Sequence, residues 1–182
     1  MVHTLGAVVT GRPQFSKKGS SKKRGIAVDE DISGTMKSPP KQLQTVEGAA
    51  ICNALHDHKL RLVKTQVKYV CHRRSLVAIT DGVAIHTKTG KEWLVEWKCG
   101  YIARRHRQQR FNLPGLEKVY DNAQNRALLQ LSAAMTLSGV QQGILLYTNR
   151  TGAVRSLLLP KSLPEMGNMD TANAVLDALC CK

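Results

Sequence analysis

Aromatic side chains are scarce: two Trp, two Phe and four Tyr make up 4% of the 182 residues, so a platform for stacking the bases of a single strand is poorly supplied. Paired cysteine spacing is missing too. Cys52, Cys71, Cys99, Cys180 and Cys181 are odd in number and never form CxxC, which argues against a zinc site and against a disulfide framework. They read as reduced thiols of an intracellular protein. No apolar run approaches the about 20 residues that cross a bilayer, and the N-terminus shows no apolar signal core. The expectation is a soluble chain of the cytoplasm or nucleus with no membrane partner. Internal repeats are absent. Acids are in short supply as well, with 13 Asp and Glu against 27 Lys and Arg, for a net charge of +14. Such a field attracts polyanions, and nucleic acid is the leading partner, although ribosomal, capsid-associated and membrane-attracted proteins share the trait.

The apolar content of 42% suits one domain with a respectable core. Residues 1–40 differ in composition: KKGSSKKRG at 17–25, an acidic cluster at 29–31 and Pro39-Pro40 read as a flexible basic arm ahead of a single domain over 41–182. Within that domain the apolar stripe Leu43, Val46, Ala50, Cys52, Ala54, Leu55 predicts a helix over 42–57. Strand-like runs follow at 61–71, 76–86 and 92–99, the last two separated by the turn Lys88-Thr89-Gly90-Lys91. A basic connection spans 100–115, and a second helix is predicted over 119–137, ended by Ser138-Gly139. Strands at 143–147 and 154–159 and a last helix at 170–180 complete the order, which makes a mixed α+β sheet flanked by helices.

The informative stretch is DGVAIHTKTGKEWLVEWK, where Asp81 precedes Glu96-Trp97-Lys98 by fifteen residues. Strand alternation turns Glu96 and Lys98 to one face, where they can converge with Asp81 from the neighbouring strand. Carboxylate oxygens are the hard ligands Mg2+ prefers, and Mg2+ retains waters that serve attack on a phosphodiester. Plainer readings exist. Asp81 can be a turn residue before Gly82, and Glu96 can form a structural ion pair with Lys98 or an arginine. The segment Tyr101-Ile102-Ala103-Arg104-Arg105-His106-Arg107-Gln108-Gln109-Arg110 is the densest basic stretch. Arg104, Arg105, Arg107 and Arg110, extended by Arg73 and Arg74, suit phosphate contacts, with a solvated helix face as the alternative.

The order αβββαβ with Asp81 on the second strand and Glu96-Trp97-Lys98 on the third resembles the PD-(D/E)XK nuclease superfamily. Glu47 on the first helix, and Gln124 twenty-six residues after Lys98 on the second, make it most similar to the phage lambda exonuclease and RecB-like branch. The resemblance covers about residues 42–150. It implies catalytic Asp81, Glu96, Lys98 and Gln124, with Mg2+ or Mn2+ held by Asp81, Glu96, the Trp97 carbonyl and Glu47. It also implies a deoxyribonuclease, foremost a 5′-to-3′ exonuclease on duplex DNA ends in recombination or replication. A junction-resolvase type of endonuclease stays open, as does a non-catalytic basic protein that binds or packages nucleic acid. Processive relatives close into rings, so a homo-oligomer is compatible, as is a viral or phage origin. Iron–sulfur members bracket the core with four cysteines; none stands before Cys52, so no cluster is expected.

Overall fold

The computed structural model describes residues 3–4, 20–37, 41–72, 76–99 and 123–159. In chain order they form β1 (His3–Thr4), α1 (Ser20–Thr35), α2 (Val46–Asp57), β2 (Leu60–Cys71), β3 (Leu76–His86), β4 (Glu92–Cys99), α3 (Ala123–Ser138), β5 (Gly143–Thr148) and β6 (Val154–Leu159). Strands β2, β3 and β4 are an antiparallel meander. β5 then joins β4 in parallel, which needs the crossover that α3 supplies, and β6 returns antiparallel along β5. The two-residue β1 adds parallel to the start of β3. This is the mixed α+β sheet between helices that the sequence order suggests.

Alternation divides the core between the two faces. On one side Leu94, Leu145 and Tyr147 pack with Ala127, Leu128, Leu131, Ala134 and Met135 of α3. On the other, Val95, Trp97, Ile144 and Leu146 pack with Val28 and Ile32 of α1 and Ile51 and Leu55 of α2. β5 is buried along its whole length because both neighbours pair with it and both faces are covered.

Helix α1 lies within the stretch 1–40 that reads as a flexible arm. Ser20–Thr35 is helical, and Val28 and Ile32, one turn apart, are fully buried against β4 and α2. Each contributes roughly 1.5–3 kcal/mol on burial, which holds a helix of poor intrinsic propensity in place. Its acids are also engaged. The Asp31 carboxylate accepts hydrogen bonds from the Gln44 amide (2.8 Å), the Thr45 amide (2.9 Å) and the Thr45 hydroxyl (2.6 Å). Burial works to raise the Asp31 pKa, but these three donors carry it below the usual carboxylate value. Thr45 in turn caps α2 through the Gly48 amide, which is why that helix begins at Val46 and not at 42. The predicted helix at 170–180, the basic connection 100–115 and residues 119–122 lie outside the described residues.

Candidate active site

The pairing of β3 with β4 runs from Ile85–Glu92 to Gly82–Val95 and then stops. Side chains take over where the ladder ends. The Thr80 hydroxyl donates to the Val95 carbonyl at 2.7 Å, and the Trp97 amide donates to Asp81 Oδ2 at 2.9 Å, so a carboxylate oxygen stands in for a strand carbonyl. A break in alternation aims Asp81 into this gap. Ala78 and Val83 both belong to the α3-side core although five residues separate them, while Ala84 lies on the opposite side. A regular strand forbids that, so β3 is irregular between them, and Gln66 on the facing part of β2 takes a left-handed φ of +52°. The Gln66 amide reaches Asp81 Oδ1 at 3.5 Å. Space at Gly82 is tight: a Cβ would meet Leu62 Cδ1 at 2.7 Å and the Trp97 ring at 3.2 Å.

Asp81, Glu96 and Lys98 come together beside that gap. Lys98 Nζ bonds Glu96 Oε1 and lies 3.9 Å from Asp81 Oδ2. Glu96 is 0% exposed, and its second oxygen, Oε2, is buried with no hydrogen-bond partner among the described residues. Burial, with the neighbouring Asp81 charge, pushes the Glu96 carboxyl up to about 8, against the pull of Lys98. Asp81 is raised as well, chiefly by burial, with Lys98 and the Trp97 amide opposing. For Lys98, burial acts against the charge, but Glu96 and Asp81 outweigh it and raise its pKa. One ammonium is thus shared by two desolvated carboxylates.

Mg2+ or Mn2+ fits these residues. An unpartnered, buried carboxylate oxygen and two acids raised chiefly by burial, Glu96 further by the Asp81 charge and Asp81 by the Asp29 charge, are what a divalent cation relieves, and oxygen donors are what both ions accept. Among the described residues no three His, Cys, Asp or Glu side chains gather as a cage. Two carboxylates with a main-chain carbonyl remain an adequate set for Mg2+, which keeps several waters.

No family model and no curated protein matches the chain. Solved structures do resemble it. An alkaline exonuclease (LHK-Exo) from Laribacter hongkongensis is 11% identical, with 97% of this chain and 87% of that one covered and a TM-score of 0.45. A phage related exonuclease from Haemophilus somnus 129PT is 11% identical over 97% of this chain and 90% of that one, with a TM-score of 0.41. The structure titled SSO0001 is 15% identical with a TM-score of 0.35; the match spans 74% of this chain and 57% of that chain.

The remaining expected residues are placed differently. Glu47, on the first turn of α2, is 3% exposed and forms an ion pair with Arg24 of α1; its charge reaches Cys99, as do those of Asp81 and Lys98. The Arg24 hydrogen bond lowers its pKa against the effect of burial, and Arg150 adds to the lowering. Gln124 lies in the first turn of α3, and its side chain lies outside the described residues, as do Arg73, Arg74, Arg104, Arg105, Arg107 and Arg110.

Two residues that the sequence reading assigned to the arm belong beside the site. Arg24 is one; Asp29 is the other. Asp29 Oδ1 accepts from the Trp97 indole N–H at 2.7 Å, and its charge contributes to the raised pKa values of Lys98 and Asp81. Burial raises the Asp29 pKa itself. The signal that could have found them is the Val28–Ile32 pair at helical spacing inside a charged stretch.

Proposed function

We propose that this chain is a metal-dependent nuclease that hydrolyses phosphodiester bonds of DNA. The observation that carries the reading is the meeting of Asp81, Glu96 and Lys98 where β3 and β4 part, with a buried carboxylate oxygen left unpartnered. Asp81 and Glu96, together with the Trp97 carbonyl, would hold Mg2+ or Mn2+. When bound, the ion supplies Lewis-acid polarisation of a phosphate and acidification of a water. Lys98, half exposed, turns its compact ammonium to a phosphate oxygen or to the attacking water and, through its hydrogen bond, favours the ionised form of Glu96 against burial. Asp81 anchors the gap open through the Trp97 amide. The net charge of +14 favours a polyanionic substrate.

Within this reading we favour a 5′-to-3′ exonuclease on duplex ends. It leans on Glu47 and Gln124, and Glu47 is held by Arg24. Digestion of linear, covalently closed and branched DNA with Mg2+ tests both levels. Loss of end-labelled linear duplex with closed circles intact supports the exonuclease; cleavage of closed branched DNA favours an endonuclease. Tight, metal-independent binding with no cleavage of any substrate would overturn the enzyme reading.

A further inference from the structure

Two buried side-chain atoms on the α3 side of the sheet lack a hydrogen-bond partner among the described residues: Glu96 Oε2 and the Tyr147 hydroxyl. A third such atom, Trp93 Nε1, belongs to a side chain packed against the opposite core. Leu94 and Tyr147 share the α3-side core, and alternation puts Glu96 and Lys98 with Leu94 on that face. The parallel register of β4 and β5 pairs Glu96 with Leu145 and Lys98 with Tyr147. The phenol therefore stands diagonally across from Glu96, a separation that aromatic side chains span.

Tyr147 is 7% exposed. The charged groups that act on it are Glu96 and Arg155, its register partner on β6, with Lys98 beside it on β4. A phenol keeps its proton at neutral pH, so the group can donate. A phenylalanine would bury the same ring without stranding a hydroxyl, and a stranded hydroxyl is costly. Lys98 already occupies Oε1 of Glu96; Oε2 makes no hydrogen bond among the described residues. Each carboxylate oxygen has two lone pairs, so one that accepts from a phenol still has one for a cation.

We propose that Tyr147 is a positioning residue for Glu96: its hydroxyl donates to Oε2 through one water and orients the carboxylate toward the divalent cation. The proposal rests on the metal-site reading above. Hydrogen-bonding partners behind a metal ligand set both its orientation and its affinity, and their loss costs roughly 10–100-fold in metal binding.

The test is Mn2+ titration of the full chain by calorimetry and by electron paramagnetic resonance, for wild type, Tyr147→Phe and Glu96→Gln, with metal-free melting temperatures alongside. Tyr147→Phe is expected to weaken Mn2+ binding roughly 10–100-fold while the metal-free protein melts no lower than wild type. A purely structural tyrosine would not move the metal affinity. Unchanged Mn2+ affinity in Tyr147→Phe, with binding abolished in Glu96→Gln, overturns this inference and leaves the metal site standing. Wild-type Mn2+ binding by Glu96→Gln overturns the metal-site reading and this inference with it.

Discussion

Glu47 and Glu96 are both buried glutamates bonded to a basic side chain, and their acidities move in opposite directions. Glu47 has two cations, Arg24 and Arg150, for one acid, and its pKa falls. Glu96 has one cation for two acids, since Lys98 is shared with Asp81, and its pKa rises to about 8. The first arrangement is satisfied and ties α1 to α2. The second leaves a proton that a cation can displace and an unpartnered oxygen, which is how a protein holds a place for a cation. Counting charges around a buried acid separates a clip from a site better than burial alone does.

The largest effect that can break this contrast is on turnover. Glu96→Gln should reduce Mg2+-dependent cleavage roughly a thousandfold, since the ion's charge stabilisation is worth several kcal/mol, while DNA binding by filter retention persists. Glu47→Gln should leave cleavage within about tenfold of wild type, one order of magnitude being 1.36 kcal/mol of barrier. Equal losses in the two variants would mean that Glu47 leaves Arg24 and joins the metal.

Acid and alkaline melting curves sharpen the contrast next. The folded Glu96 holds a proton up to about 8 that the unfolded chain releases near 4.5, so its contribution is fully present below 4.5 and lost as pH rises toward 8. Glu47 has the opposite sign: its stabilisation is present above its unfolded value and lost as pH falls through the lowered folded one. Glu96→Gln should flatten the alkaline decline in melting temperature and Glu47→Gln the acidic one. Added Mg2+ should raise the wild-type melting temperature more at pH 8 than at pH 5, by competing with the Glu96 proton.

The smallest effect concerns the tie between the two regions. Trp97→Phe removes the indole donor to Asp29 and should lower the melting temperature by roughly 2–4 °C, an effect of about 1 kcal/mol. Cleavage should survive, because the proposed ligand at this position is the main-chain carbonyl; a dead Phe variant would mean that α1 sets the geometry of β4.

The strands were legible because their patterns are strong. β2 reads as alternation over Leu60–Cys71, β5 as an apolar run and β4 as a tryptophan-rich strand ending in Glu-x-Lys. Asp81, Glu96 and Lys98 were legible for the same reason, since period-two geometry alone places Glu96 beside Lys98. Helix α1 was not. Its inward face is Val28 and Ile32, diluted by Lys22, Lys23, Arg24, two glycines and three acids, so composition pointed to a solvated arm. The acids that looked solvated are bound by donors far along the chain, Asp29 by a tryptophan 68 residues away. Local composition carries no trace of such a partner. The irregularity in β3 was equally hidden, because Thr-Asp-Gly fits a turn as well as a strand that kinks.

That kink has a practical consequence for anyone seeking an inactive control. Asp81 Oδ2 closes the last rung between β3 and β4, so replacing Asp81 disturbs the mechanical seam of the sheet together with whatever chemistry the residue performs. Loss of activity at this position cannot be divided between the two. Glu96 takes no part in the bond from the Trp97 amide, which makes it the better place to switch the protein off while keeping its frame.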